Sequence, residues 1–220
     1  MFGPGIGALL LAMLIGGLIG GEILARLLPR WGYPKAKRGL RILMLVGVAA
    51  YAGALFTASL TSRERVLARG ETLKFCGFYL DCHLGVAVEG VDQQASIGEA
   101  RASGRFYVIR LRVSSDARQA TLHVRKPTFV VVDRAGQTYE RAKKAEGLMA
   151  TDAGDTMLTR AIAAGDSYEI RLVFDLPANV SEPRLKVTDP TGVDRVLEGL
   201  VIGDDDSILH KPTTLALTPL

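Results

Sequence analysis

The stretch Ile42–Ser62 constrains this chain more than any other. It runs for twenty-one residues without Asp, Glu, Lys, Arg or His, and Arg41 and Arg63 bound it directly. At ~1.5 Å per residue, a helix of that length covers roughly the ~30 Å hydrocarbon core of a bilayer. A second apolar run, Met1–Gly21, is also about long enough to span. A cleavable signal peptide is the rival reading of that first run. It fits less well, because no Lys or Arg precedes the apolar core and a second full-length span follows. The expectation is a transmembrane hairpin over residues 1–62, with helices at about 2–28 and 40–62 and a basic loop at 29–41.

The basic residues fix a direction. Arg26 and then Arg30, Lys35, Lys37, Arg38 and Arg41 crowd the connection, and Trp31 and Tyr33 suit the headgroup level. Positive charge in a short loop favours the cytoplasmic side. Both ends of the hairpin then face outward. Arg63, Arg65 and Arg69, offset only by Glu64, reduce that asymmetry without reversing it. Small residues at spacings of four, Gly16 with Gly20 on the first helix and Ala49 with Gly53 on the second, would let helix backbones approach closely in lipid. They read as the seam of a tight hairpin or of a dimer, or simply as the Gly content usual in membrane helices.

Charge separates the chain into two parts. Residues 1–69 carry +7 of the +4 total, and the remainder carries −3. The folded module after the hairpin is therefore mildly acidic, which argues against nucleic-acid binding. A juxtamembrane linker is expected at 63–72 and a β domain at 73–220. Period-two alternation recurs there. Tyr107, Ile109, Leu111 and Val113 share a face opposite Arg110 and Arg112. Tyr168, Ile170, Leu172, Phe174 and Leu176 oppose Glu169, Arg171 and Asp175. Leu84, Val86 and Val88 alternate, as do Leu122 and Val124. Phe129–Val132 leads into Asp133-Arg134-Ala135-Gly136, a hairpin-turn signal that places Tyr139 on the return strand. Leu185 and Val187 mark another strand, and Val193–Ile202 reads as the last one. Seven or eight short strands with polar turns imply a two-sheet antiparallel sandwich. Ala142–Gly165 is long for a loop and reads as a mobile surface element or as holding a short strand near Met157–Ile162.

The run Gly104-Arg105-Phe106-Tyr107-Val108-Ile109-Arg110-Leu111-Arg112-Val113 resembles the opening strand of a bacterial immunoglobulin-like family of unassigned function, common on exported lipoproteins and membrane-anchored envelope proteins. Two further pieces match in order. One is Phe129-Val130-Val131-Val132-Asp133 with Gly136 and Tyr139, and the other is Ala164-Gly165-Asp166 leading to Leu172-Val173-Phe174-Asp175-Leu176-Pro177. The resemblance spans roughly residues 100–190 and implies an immunoglobulin-like sandwich outside the cytoplasm, with no catalytic residues to transfer.

The chemistry-bearing residues are few. Cys76 and Cys82, the only cysteines, read first as a disulfide in an oxidising compartment. On one extended strand their Cα atoms would stand ~20 Å apart, so the chain must turn between them, and Gly77 permits that. The sharper alternative is a metal or thiol-redox site of Cys76, Cys82 and His83, with His123 or His210 as further ligands. Asp204-Asp205-Asp206-Ser207 lacks the order of a known calcium loop and reads as a solvated turn. No nucleophile elbow or phosphate loop is present, so no enzyme and no cofactor is expected. The reading is a membrane-anchored envelope protein whose partners are the lipid bilayer and an extracytoplasmic protein or envelope component. Metal or thiol-redox work at Cys76, Cys82 and His83 is one alternative. A structural role in a membrane assembly is another.

Overall fold

Two helices open the chain, and the turn between them is built from one Gly and one Pro. The computed structural model describes residues 4–75, 83–123, 127–149, 160–188, 196–197, 199–203 and 207–218. Helix α1 is Pro4–Leu27 and α2 is Pro34–Leu60. Beyond α1, Gly32 takes a φ of +87°, the left-handed conformation a Gly reaches without steric cost. The Tyr33 N–H then folds back onto the Leu28 carbonyl at 2.9 Å, satisfying a helix-end acceptor. Pro34 restarts the helix at its first turn, where its missing N–H costs nothing. Helix α2 thus begins at Pro34 rather than near residue 40, and Lys35, Lys37, Arg38 and Arg41 lie on its first turns rather than in a loop. Charge bounds an apolar run, but it does not stop a helix.

The chain divides into two units. One holds Met1–Arg63 and Arg195–Lys211, and the other holds Glu64–Asp194 and Pro212–Leu220. In the first, Glu22 joins the helices at the turn end, accepting from Arg26 Nε at 3.2 Å and Arg41 Nη2 at 3.0 Å. Gly21 faces the Met44 side chain so closely that a Cβ would collide with its sulfur. Within this chain the small-residue pairs lie away from the contact between the two helices. Gly16, Gly20, Ala49 and Gly53 are exposed, and a Cβ added to any of the three glycines would meet nothing within 4 Å. Gly21 with Met44 and Glu22 with Arg41 are contacts between the helices.

Residues 195–211 form the third piece of this unit. The described part contains helical turns at 196–197 and 199, not the last strand expected at Val193–Ile202. Its backbone closes on itself. Leu200 N–H donates to Leu197 O, Ile208 N–H to Gly199 O and His210 N–H to Ser207 O, each at 3.0 Å. The Ser207 hydroxyl caps Val201 O. Against the helices, Tyr51 Oη donates to Leu200 O at 2.6 Å, and Lys211 N–H donates to Ser62 Oγ at 2.8 Å. Gly7 lies against the Ile202 backbone where no Cβ would fit.

The second unit is a β-sandwich. One sheet has the order β2-β3-β4-β9, from Thr72–Phe75, Leu84–Ile97, Ala100–Ser115 and Ser167–Leu176. The other has the order β1-β11-β10-β6-β7, from Arg65–Leu67, Thr213–Ala216, Arg184–Thr188, Thr128–Val132 and Thr138–Tyr139. A small pair, β5 (Leu122–His123) with β8 (Ala161–Ile162), stands beside them. All described pairings are antiparallel except β1 with β11, which run parallel. The stretch expected to be a linker therefore supplies a strand, and Leu67 enters the core.

Alternation placed the main core correctly. Tyr107, Ile109, Leu111 and Val113 pack inside with Ile170, Leu172, Phe174, Leu176, Val86, Val88, Phe129, Val131 and Leu185. The Asp133–Gly136 turn forms as expected. Gly136 has a φ of +82°, and Val131 pairs with Tyr139. Gly104 sits against the Leu176 carbonyl, where a side chain would clash, and Asp175 accepts from Ser103 N–H at 2.7 Å and Gly104 N–H at 3.1 Å. That contact locks the start of the Gly104–Val113 run to the end of β9, and gives a physical reason for Gly and Asp at those positions.

Candidate functional site

Three places hold the residues that sequence singled out, and each has a structural role of its own. The first is the end of the β2–β3 pair. Phe75 pairs with Leu84 in antiparallel register, so the chain reverses direction between those two residues. Cys76 and Cys82 themselves lie outside the described residues. Beside the turn, Asp116 gathers two basic partners from neighbouring strands. Lys74 reaches one carboxylate oxygen, and His83 Nδ1 lies 2.7 Å from the other. The Asp116 N–H also donates to the His83 carbonyl at 2.9 Å. The hydrogen bond from Lys74, then that from His83, holds the Asp116 carboxyl below the ordinary carboxylate range. His83 is thus fixed in place where the cysteine-bearing turn rejoins the sheet. Among the described residues no cluster of three His, Cys, Asp or Glu side chains could hold a metal. His123 is on β5, and His210 belongs to the other unit. Asp204–Asp206 lie outside the described residues.

The second place is the outer face of β3-β4-β9. The register sets Arg110 beside Gly90 and Arg171, and Arg112 beside Ala87 and Glu169. Arg112 Nε bonds Glu89 at 2.6 Å, and Arg110 Nε stands 3.8 Å from Asp92. The Arg110 guanidinium lies over Gly90, in the space a Cβ would need. The face is therefore a ladder of balanced charges rather than a basic patch. Exposed pairs of this kind add little stability, so the ladder's cost as a surface is low.

The third place was hidden within Ala142–Gly165. Helix α3, Lys143–Glu146, covers the rest of that same face. Ala145 packs with Ile97, Phe106, Val108 and Val173 in a second apolar cluster, and Ala142 N–H donates to Val173 O at 2.7 Å along the edge of β9. Beneath it lies an ion pair that sequence reasoning missed. Arg141 grips Glu146 through Nε at 2.9 Å and Nη2 at 2.5 Å, with both side chains less than a tenth exposed. Glu146 Oε1 also accepts the Val173 N–H at 2.9 Å. A fork-to-fork pair with a further backbone donor satisfies most of the buried charge. The sequence signal was the spacing of five between an Arg and a Glu around Lys-Lys-Ala, which reads as an ordinary solvated stretch. The expected strand near Met157–Ile162 is present only as β8, at Ala161–Ile162, and residues 150–159 lie outside the described residues.

The apolar surface is distributed unevenly. Among the described residues, every exposed large apolar side chain except Leu148 belongs to the unit of α1, α2 and 195–211. Leu9, Met13, Ile19, Leu43, Leu45 and Leu60 are each 60% or more exposed. Both helices are long and apolar enough to cross a membrane, over Ile6–Leu27 and Pro34–Leu60.

No family model matches the chain. No curated protein matches it. Among solved structures it is similar to the yjhA protein of Bacillus subtilis, at 14% identity over 69% of this chain and 99% of that one, with a TM-score of 0.44. It is also similar to MPT63, a secreted protein of Mycobacterium tuberculosis, at 16% identity over 59% of this chain and 100% of that one, with a TM-score of 0.40. An uncharacterised β-sandwich protein of Clostridium difficile shares 9% identity over 71% of this chain and 96% of that one, with a TM-score of 0.38. Likenesses at this level carry no argument beyond the geometry above.

Proposed function

We propose that the chain is a membrane-anchored envelope protein, without enzymatic activity, that displays an immunoglobulin-like module outside the cytoplasm to bind a protein or envelope component. The exposed apolar side chains carry this reading. A helix pair that turns Leu, Ile and Met outward along its length is unfavourable in water and favourable in hydrocarbon. Arg30, Lys35, Lys37 and Arg38 crowd the turn and favour its cytoplasmic placement, which puts Ser62 and the sandwich outside. The immunoglobulin-like reading draws support from strand order. Neighbours β11-β10-β6 in one sheet and β3-β4-β9 in the other follow the G-F-C and A-B-E order of such sandwiches. That compartment would favour a disulfide between Cys76 and Cys82.

The contact surface is the charged half of the β3-β4-β9 face around Arg110 and Arg112, since α3 covers the other half. Reporter fusions or thiol labelling at Lys35 and Gly165 test the topology. Lys35 inside and Gly165 outside is the expected result, and the reverse removes both the display role and the disulfide. Pull-down of intact protein from membranes, compared with an Arg110→Ala, Arg112→Ala variant, tests the binding. Identical recoveries would reject that face.

A second reading is metal or thiol-redox work at Cys76, Cys82 and His83. The His83 Nδ1 contact to Asp116 favours it, because metal-bound imidazoles commonly bond a carboxylate through their other nitrogen. Intact mass and metal content of non-reduced protein separate the two. A stable bridge without metal leaves the structural disulfide.

A further inference from the structure

We infer that Arg141 and Glu146 form a guard on the outer edge of β9, closing that strand to pairing with β9 of a second copy of this chain. The assignment concerns the sandwich alone and does not depend on where the module is displayed.

Strand length is the first ground. Among the described residues the two sheets end in four strands, β2, β9, β1 and β7. Three of these are four, three and two residues long, whereas β9 has ten. An end strand turns a row of N–H and C=O groups to one side, and a long one is a template for another chain. The end strand most in need of a cover is the one to which residues 141–146 attach.

The mode of attachment is the second ground. Both backbone polar groups of Val173 turn to this segment. Its carbonyl accepts the Ala142 N–H at 2.7 Å, and its N–H donates to Glu146 Oε1 at 2.9 Å. The backbone pairing amounts to one bridge, Arg141 with Phe174, after which the chain turns into α3. The other partner is a carboxylate, which accepts a hydrogen bond but has no N–H with which to continue a ladder. Pairing therefore starts and stops at one position. The exposed Lys144 on α3 adds a charge that a second copy would meet with its own.

The choice of buried charge is the third ground. Arg141 and Glu146 are 8% and 4% exposed, beside the cluster of Ile97, Phe106, Val108, Ala145 and Val173. Apolar residues of the same volume commonly stabilise as much as a buried ion pair or more. Stability alone does not account for the pair. An apolar pair would still hold α3 down, but it would leave the Val173 N–H without its acceptor and open to a carbonyl from another chain.

A second copy is the partner to be excluded because β9 is complementary to itself. Antiparallel pairing about Ile170 sets Glu169 opposite Arg171 of the copy, and Val173 opposite its Ser167. Opposite charges then face each other across the new pair, which favours it. The Val173 groups held by Ala142 and Glu146 are the ones that such pairing would need.

The test is self-association of full-length protein in detergent micelles by sedimentation velocity, with the unfolding midpoint recorded for each variant. Arg141→Met with Glu146→Leu removes the acceptor. Ala142→Pro removes the donor, at a residue whose φ of −81° is close to that of proline. Both are expected to fold and to associate at concentrations at least tenfold lower than the parent, and if one of them unfolds the other decides. Glu169→Pro, added to either, deletes an N–H on the same side of β9 as that of Val173 and should restore the parent's behaviour. Folded variants that associate no more than the parent overturn the guard. Association that survives Glu169→Pro also overturns it, since the contact then lies elsewhere.

Discussion

The two units solve opposite packing problems with the same side chains. In the sandwich, Leu, Ile and Val face each other and Arg and Glu face out. Around the hairpin, Leu, Ile and Met face out, and the contacts described between elements include two glycines, a tyrosine hydroxyl, a serine hydroxyl and one Glu–Arg pair. With the first unit in a bilayer, as proposed, the difference follows from the solvent. Apolar burial drives the sandwich, whereas in lipid the apolar surface is already at home and close approach with satisfied polar groups holds the pieces together.

The sharpest break in that comparison should come from the core of the sandwich. Phe174→Ala removes a fully buried ring, and should cost about 4 kcal/mol in denaturant unfolding of the domain. Leu45→Ala, at a site 69% exposed on α2, should change helix content in a bilayer hardly at all. Next comes the one place where the sandwich buries charge. Arg141→Met should cost about 3 kcal/mol, because it strands the Glu146 carboxylate beneath α3. Arg141→Met with Glu146→Leu should recover much of that loss, and no recovery would show that the pair holds α3 by more than charge.

Gly7→Val should act only on the first unit. The new side chain cannot coexist with the Ile202 backbone, so residues 195–211 should become accessible to trypsin at Arg195 and Lys211. The unfolding midpoint of the sandwich should stay unchanged. The smallest effect belongs to Asp116. Its carboxyl lies below the usual range in the folded state, so the bonus exists above the unfolded value of ~3.9 and disappears as pH falls through the lower folded value. Asp116→Asn should therefore remove that small bonus at neutral pH and flatten the profile below about pH 4, where variant and parent converge.

What sequence made legible tracks how local the signal was. The faces of β4 and β9, the Asp133–Gly136 turn and the two apolar helices each rest on a pattern carried within one element. The parts that were not legible depend on distant partners. Strand β1 has only Val66 and Leu67 to mark it, and is a strand because β11 lies alongside. The apolar residues of Val193–Ile202 read as a strand, but Tyr51 and Gly7, far away in the chain, offer Leu200 and Ile202 a different surface. The Arg141–Glu146 pair looks solvated until the Val108, Phe106 and Val173 side of the sheet is known to need a cover. At the cysteine turn, Asp116 was missed because its thirty-three-residue separation from His83 leaves no trace in spacing.

The parallel pairing of β1 with β11 bears on how the module could be shed. Strand β1 follows directly from the end of α2, and β11 follows directly from Lys211, where the 195–211 segment ends. The module is thus moored by chain at three points: before β1, after β10 and before β11. A protease that nicks the basic run at Arg63 or Arg65 cuts only the first. Shedding requires the other two crossings to be cut as well, or the 195–211 segment to be drawn off the helices. With the first unit as the proposed membrane anchor, a molecule nicked once at Arg63 or Arg65 should therefore stay attached through the other two crossings.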